Sequence, residues 1–552
     1  METPSVNDYK AIIDELRAQN AACWATIAKQ VEEIELLRAK KDEEIDLLRA
    51  ELRLLKHKLF GSSSEKKAAP IDEDQGLLFD IPKVEPLDDE DRESEDDELQ
   101  TVAAHTRRRT GRKPLPSDLP RVEIIHDIAD DEKTCACGTE LERIGEESSE
   151  RLVYVPAQLY VERHVRPKYA CRVCEGTEDA GPAVRIAPLP PRLLPKSIAT
   201  PSLLAHILTA KFVDATPFYR QEKQFARLGI EMNRTTMCTW AMKVADACEP
   251  LIAAIDREIR SGPLINADET TVQVLKEAGR SPTDKSYMWV FRGGARDGPA
   301  LRYLYAPTRS ASVAESYLLP YQGVVQTDGY KGYDFLSKQA NISHVGCWAH
   351  ARRKFVEVTQ AQEKAAAGKK QAKRVSNAEK AIRLIGKLYT LEHKLRAREL
   401  SDDEFVVERK GLVGPVLDEL EKFLKELEPK TPPMGLLGKA ISYALKHWPQ
   451  LTAYLDYGFV TPDNNLIENA IRPFVVGRKN WLFSGHAKGA QASARLYSLI
   501  ETAKANGLEP FKYLQYIFEK LPFADNDADI EALLPQRLSP QDIMDAQPPT
   551  QV

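Results

Sequence analysis

Apolar positions recur every three and four residues through 10–60, with neither Gly nor Pro to break the run. Placing a at Trp24, Val31, Arg38, Ile45, Leu52 and Leu59, and d at Ile27, Ile34, Lys41, Leu48 and Leu55, makes nine of eleven seam positions apolar. This pattern predicts a leucine-zipper-like coiled coil of about five heptads that pairs two copies of the chain. Arg38 and Lys41 interrupt the seam and would fix its register at a cost in stability. A solitary solvated helix is the competing reading.

Gly61 and the serines after it end this helix. Residues 61–119 are polar, acidic and proline-containing, which predicts a disordered linker. Residues 120–185 alternate in the manner of strands, as at Val153, Val155, Leu159 and Val161. A proline-rich stretch from Ile186 to Pro195 then stiffens the chain. Residues 196–262 carry helical periodicity. From 263 to 480 strands alternate with helices, interrupted by a helical insertion over 356–455. Residues 481–522 read as helix and 523–552 as a disordered tail. The expected fold is therefore multidomain, with an α/β core between helical and β-rich neighbours.

Composition alters this picture in one respect. The net charge is −6, but ten acids and a single base lie between Glu85 and Glu98. Without that segment, 76 basic residues face 73 acidic ones. The remainder is near neutral to slightly basic, as a chain that meets nucleic acid can be. Arg107, Arg108, Arg109, Arg112 and Lys113 crowd around Gly111, an arrangement suited to an arm lying on phosphates or in a minor groove. A solvated basic run is the alternative. Eight cysteines in 552 residues are too few for a disulfide scaffold. Neither a membrane span nor a secretory signal is evident, so a cytoplasmic protein is expected, nucleoid-associated when bound to DNA.

Two close cysteine pairs, Cys135/Cys137 and Cys171/Cys174, bracket the β-rich segment. Such pairs at turn tips build tetrahedral thiolate sites for a structural Zn²⁺, although the first pair is tighter than the common C-x2-C and buried unliganded cysteines remain the alternative. Between a helix from Pro217 to Leu228 and one opening at Arg234 lies a Gly-containing turn, a spacing that fits helix-turn-helix. Arg234, Thr235 and Thr236 would then face DNA. An ordinary αα-hairpin fits the same spacing.

The strand Leu264–Val274 holds an acid, Asp268, where desolvating a carboxylate is costly unless a cation offsets it. Tyr287–Phe291 and Leu301–Tyr305 read as the next strands, and Val313–Leu319 as a crossover helix. The strand Gly323–Gln326 runs into Asp328, a carboxylate at a strand's C-terminal end. A short helix capped by Asp463 and stopped before Pro473 carries Glu468, with Leu466, Ala470 and Ile471 on its inner face.

These strings resemble the transposases of insertion sequence 66. The resemblance runs through Lys58–Lys66, the four cysteines, Asp268-Glu269-Thr270, Thr327-Asp328-Gly329-Tyr330 and Cys347–Phe355. It continues through Asn465–Asn469, Arg472-Pro473 and Gly477–Phe483. It implies an RNase H-like core in which Asp268, Asp328 and Glu468 are a D-D-E triad, with two Mg²⁺ per active site or Mn²⁺ in their place. It also implies a structural Zn²⁺ in the cysteine segment.

The implied activity is metal-dependent DNA strand cleavage and strand transfer on terminal inverted repeats, with no covalent protein–DNA intermediate. Its partners are double-stranded DNA, a second copy of the chain, and accessory proteins of the same element as candidates. Arg472, Arg478, Lys479 and Lys488 follow Glu468 closely and could hold phosphates. His344-x2-Cys347-x2-His350 has helical spacing and is assigned a structural role near the site in preference to binding zinc. Glu269 is expected on the opposite face of the strand from Asp268, and Glu501 in helix packing. A nuclease or junction resolvase on the same fold, or a catalytically inactive zinc-containing DNA-binding protein, are the alternatives.

Overall fold

The computed structural model describes residues 159–170, 184–366 and 375–544, together with residue 30. The predicted coiled coil (residue 30 apart), the acidic linker with its basic arm, and all four paired cysteines lie outside these residues. The chain divides into two units, one spanning 88–189 and the other comprising 1–87 and 190–552. In the first, β1 (Lys168–Ala170) and β2 (Val184–Ile186) pair antiparallel with Tyr169 opposite Arg185.

From residue 190 onward the second unit opens with four helices. Helix α1 (Pro201–Phe212) starts where the Thr200 hydroxyl accepts from the Leu203 N–H, with proline in the first turn. Helix α2 (Phe218–Arg227) ends at a turn through Gly229, whose φ of 79° favours a residue without Cβ. Helix α3 (Arg234–Ala247) is capped by Asn233, whose side chain accepts from the Thr235 N–H. Helix α4 (Glu249–Ser261) leads to the sheet and buries Leu251, Ile252, Ile255 and Ile259.

The sheet holds β3 (Leu264–Lys276), β4 (Lys285–Gly294), β5 (Pro299–Ala306), β6 (Gly323–Gln326) and β7 (Ile342–Val345). Helix α5 (Ala311–Leu318) joins β5 to β6. Strand order is β5-β4-β3-β6-β7. The pairs β3–β4 and β4–β5 are antiparallel, whereas β3–β6 and β6–β7 are parallel. The strands read from the sequence for this sheet are thus present, and the first three extend further than the apolar runs that revealed them, whereas Leu159 and Val161, read as strand-like, lie in exposed irregular chain.

Helices α6 (Trp348–Ala366), α7 (Asn377–Arg396), α8 (Asp402–Leu427), α9 (Leu436–Lys446) and α10 (Trp448–Thr452) form the helical insertion. It has its own apolar core, which meets the sheet at Val324 and Val345. Within it, Arg409 is fully buried and pairs bidentately with Glu392 at 2.6 and 3.0 Å. The same guanidinium donates to the Tyr454, Tyr457 and Val460 carbonyls, fixing the strand of chain that leads toward residue 464.

Helix α11 (Asn465–Trp481) then returns to the sheet. It does not stop before Pro473 as the sequence predicted. The N–H that proline lacks would have bonded the Asn469 carbonyl, and Asn469 is exposed, so water can satisfy that acceptor. The helix ends at Leu482, whose φ is 67°. Its buried face is Ile467, Glu468, Ile471 and Phe474, and Leu466 is exposed, so the face is rotated from the predicted one.

Strand β8 (Ser484–His486) pairs parallel with the far end of β3, and α12 (Ala487–Ala505) packs on β5. After α13 (Pro510–Lys520) come α14 (Asp527–Ala532) and α15 (Pro540–Met544). This corrects the expectation of a disordered tail from 523, at least as far as 544. Ile530, Leu533, Leu534 and Ile543 are buried in the sheet's core, and Arg537 pairs with Glu258 of α4 at 2.5 Å. Among the described residues, no helix is long and apolar enough to cross a membrane.

Candidate active site

Three buried amides position three acids. Asn266 and Gln326 are register partners on parallel β3 and β6, and the Asn266 amide donates to Gln326 Oε1 at 3.0 Å. Asp268 and Asp328 each follow two residues later, so the shared register carries both past the last paired residues side by side. The second Asn266 amide hydrogen goes to Asn464 Oδ1 at 2.9 Å, and Asn464 donates to the Ala267 carbonyl at 3.1 Å. Asn464 caps α11, and Glu468 lies one turn further on. Gln326 also donates to the Thr461 carbonyl at 2.8 Å, tying the approach to α11.

The acids sense one another. Burial raises the Asp268 carboxyl well above its ordinary range, and the carboxylates of Asp328, Glu269 and Glu468 raise it further. The Asp268 Oδ1 accepts from the Glu269 N–H at 2.7 Å, and Asp328 Oδ1 from the Tyr330 N–H at 2.9 Å. The Glu468 side chain is 2% exposed, and neither carboxylate oxygen has a hydrogen-bond partner. His350 Nδ1 lies 3.7 Å from one of them and Arg353 3.6 Å from the other. Burial lowers the His350 pKa, against the pull of Asp328 and Glu468.

Gly329 in the Asp328 turn has a steric reason. A Cβ there would lie 2.3 Å from Tyr443 Oη, so α9 of the insertion can close over this turn only because the side chain is absent.

Glu269 faces Arg309 and Tyr333. Arg309 donates to it at 2.6 Å and the Tyr333 hydroxyl at 2.8 Å, leaving its side chain 1% exposed. It is nonetheless no bystander, since burial and then Asp328 raise its pKa to about 7. Glu501 is on α12 and pairs with Lys504 at 2.9 Å.

His344 is separate from Cys347 and His350: its ring nitrogens face Thr327 Oγ1 at 2.8 Å and Ser337 Oγ at 3.2 Å. Burial holds it neutral, with a pKa near 4. The group brought together is instead Cys347, His350 and Glu468. Sequence spacing pointed to the first two, but Glu468 arrives from more than a hundred residues away.

Of the basic and polar residues expected at DNA, Arg234, Thr235, Arg472, Lys479 and Lys488 are exposed and Thr236 is half-buried. Arg478 is turned inward, and its guanidinium donates to Thr271 Oγ1 of β3 at 2.9 Å. Arg107, Arg108, Arg109, Arg112 and Lys113 lie outside the described residues.

Comparison with known families matches four consecutive segments of this chain. Residues 47–124 match "Transposase C of IS166 homeodomain", and 132–175, which include Cys135, Cys137, Cys171 and Cys174, match the zinc-finger binding domain of transposase IS66. Residues 196–492 match the Transposase IS66 family, and 498–536 match the IS66 C-terminal element. Two proteins of Sinorhizobium fredii (strain NBRC 101917 / NGR234), both named as uncharacterized, are similar. The protein y4jD is 35% identical over 436 residues, covering 76% of this chain and 81% of its own. The protein y4qI is 29% identical over 548 residues, covering 96% and 95%. With one family match spanning more than half of its length and the three others flanking it, the chain belongs to the IS66 family, the transposases of an insertion sequence.

Proposed function

We propose that Asp268, Asp328 and Glu468 are the D-D-E triad of this transposase, on an RNase H-like core, and that they hold two Mg²⁺, for which Mn²⁺ can substitute. The observation that carries this is the Glu468 carboxylate, buried with neither oxygen hydrogen-bonded and only the long contacts to His350 and Arg353 beside it. A buried carboxylate without hydrogen bonds is costly, and a hard cation is the oxygen-seeking partner that offsets the cost. The elevated Asp268 pKa fits the same account, because three nearby carboxylates repel one another until a cation neutralises them. Three antiparallel strands followed by two parallel ones support the RNase H-like reading.

When bound, the cations would polarise the oxygen that attacks phosphorus and stabilise the oxygen that leaves. The chain's own part is positioning. The amides of Asn266, Gln326 and Asn464 fix the acids, and Arg353 sets a positive charge beside Glu468. Arg472, Lys479 and Lys488 are exposed and would meet phosphates, as would Arg234 and Thr235 on α3, with Thr236 beside them. Arg478 contributes by holding α11 to β3. The arm at Arg107, Arg108, Arg109, Arg112 and Lys113 would add sequence-independent affinity. A structural Zn²⁺ on Cys135, Cys137, Cys171 and Cys174 would order the preceding domain. The coiled coil over 10–60 would pair two chains on two transposon ends.

The test is incubation of the full chain with its element's terminal inverted repeats and Mg²⁺, with products mapped at nucleotide resolution. Joining of 3′ ends to target DNA is expected. Nicking without joining would favour a nuclease or resolvase, and binding with neither would favour an inactive DNA-binding protein.

A further inference from the structure

Cys347, His350 and Glu468 each offer a ligand atom, and these atoms lie within 4.8 Å of one another. They come from two helix starts. Cys347 immediately precedes α6, His350 sits in that helix's first turn, and Glu468 in the first turn of α11. The Cys-x2-His spacing puts thiol and imidazole on neighbouring positions of one helical face.

Two of the three groups lack hydrogen-bond partners. His350 Nδ1 and both Glu468 oxygens are buried without a hydrogen bond, and the Glu468 side chain is 2% exposed. The Cys347 sulfur accepts from the Asn464 N–H at 3.2 Å. A backbone N–H to sulfur is the outer support that a ligating thiolate ordinarily receives, so this bond is compatible with metal binding.

The donor set discriminates between cations. A site for Mg²⁺ alone would be lined by oxygen, whereas sulfur and imidazole select borderline-soft ions. We propose that Cys347, His350 and Glu468 form a second cation site, for Zn²⁺ or an ion of its class, that shares Glu468 with the acids of Asp268 and Asp328. Occupancy by such an ion withdraws Glu468 from its partners, so the soft ion acts as an inhibitor competing with Mg²⁺. The inhibitory consequence rests on the D-D-E reading; the binding itself does not.

The direct test is titration of the full chain, purified with its zinc, with Co²⁺, following thiolate-to-cobalt charge-transfer absorption. The expected result is one equivalent of thiolate-bound Co²⁺ beyond any held by the paired cysteines. Cys347→Ser and His350→Gln should each weaken this equivalent by more than about tenfold, the least that even outer partners of a metal site cost. Zn²⁺ should displace it. Asp268→Asn, which leaves all three ligands in place, should retain it. Retention of the equivalent at full affinity in Cys347→Ser, or its absence from the wild type, overturns the proposal. Should Cys347→Ser fail to fold, His350→Gln decides alone. Failure of the D-D-E reading would show instead as normal strand transfer by Asp268→Asn, with cobalt binding unchanged.

Discussion

Asn266 donates its side-chain amide to Asn464 Oδ1 at 2.9 Å, and Asn464 returns an amide hydrogen to the Ala267 carbonyl at 3.1 Å. Both residues are buried, at 0% and 1% exposure. The pair crosses 198 residues of sequence and bolts the N-cap of α11 to the first part of β3. Gln326 completes the tie, and an acid follows each amide by two, two and four residues. A loop or hinge could not hold three like charges together in this way.

Replacing Asn266 with Ala therefore leaves Gln326 Oε1 and Asn464 Oδ1 buried without their donor. The expected cost is about 1–3 kcal/mol of unfolding free energy. Urea unfolding followed by tryptophan fluorescence measures it, and a change within experimental scatter would show that the amide tie is dispensable.

The strands that lead to Asp268 and Asp328 were legible because each opens as an apolar run that meets an acid, and the order of elements followed from them. The amide tie was not legible. Asn266, Gln326 and Asn464 look like ordinary polar residues until the register of β3 on β6 and the return of α11 bring them together. The course of α11 misled for a local reason: Pro473 reads as a stop, yet its missing bond falls on the exposed Asn469 side. The segment after 523 misled by composition. Its acids and prolines hide Ile530, Leu533, Leu534 and Ile543, which the core takes up one at a time. Glu269 turns toward Arg309 and Tyr333 as strand alternation suggests, but alternation could not show that it still lies within electrostatic reach of Asp328.

Arg409 presents the clearest case of a buried charge outside the acids. Arg409→Met removes five hydrogen bonds and leaves Glu392 with only the Arg396 contact at 3.0 Å. The expected loss is about 3–5 kcal/mol, the range for breaking a buried pair by deleting one partner. Differential scanning calorimetry should show a lower melting midpoint, and an unchanged one would contradict the role given to this ion pair.

Lys211 predicts a pH dependence. Its amine lies 4.2 Å from the Trp481 ring centroid and 4.7 Å from that of Phe218. Burial depresses its pKa from 10.5 to about 8, against a weaker upward pull from Cys238. Below about 8 both folded and unfolded chains hold the proton, and the penalty for burying the charge is present in full. Between about 8 and 10.5 the unfolded chain retains a proton that the folded one has released, so this residue's contribution to stability rises with pH. Lys211→Met should therefore be more stable than the wild type at pH 7, with the gap closing toward pH 10.5. A variant less stable at neutral pH would mean that the rings compensate the charge.

The measurement that bears most directly on the central claim is strand transfer by Asp268→Asn, Asp328→Asn and Glu468→Gln, assayed with Mg²⁺ beside binding to the terminal repeats. Each change is nearly isosteric and removes one charge from the acid cluster. Because the three acids act as a unit, each single change should abolish joining almost as fully as all three together, with end-binding retained. Glu501→Gln, on α12 and paired with Lys504, should leave joining near normal. Near-normal joining by Glu468→Gln, with loss in Glu501→Gln, would contradict the assignment of the third carboxylate.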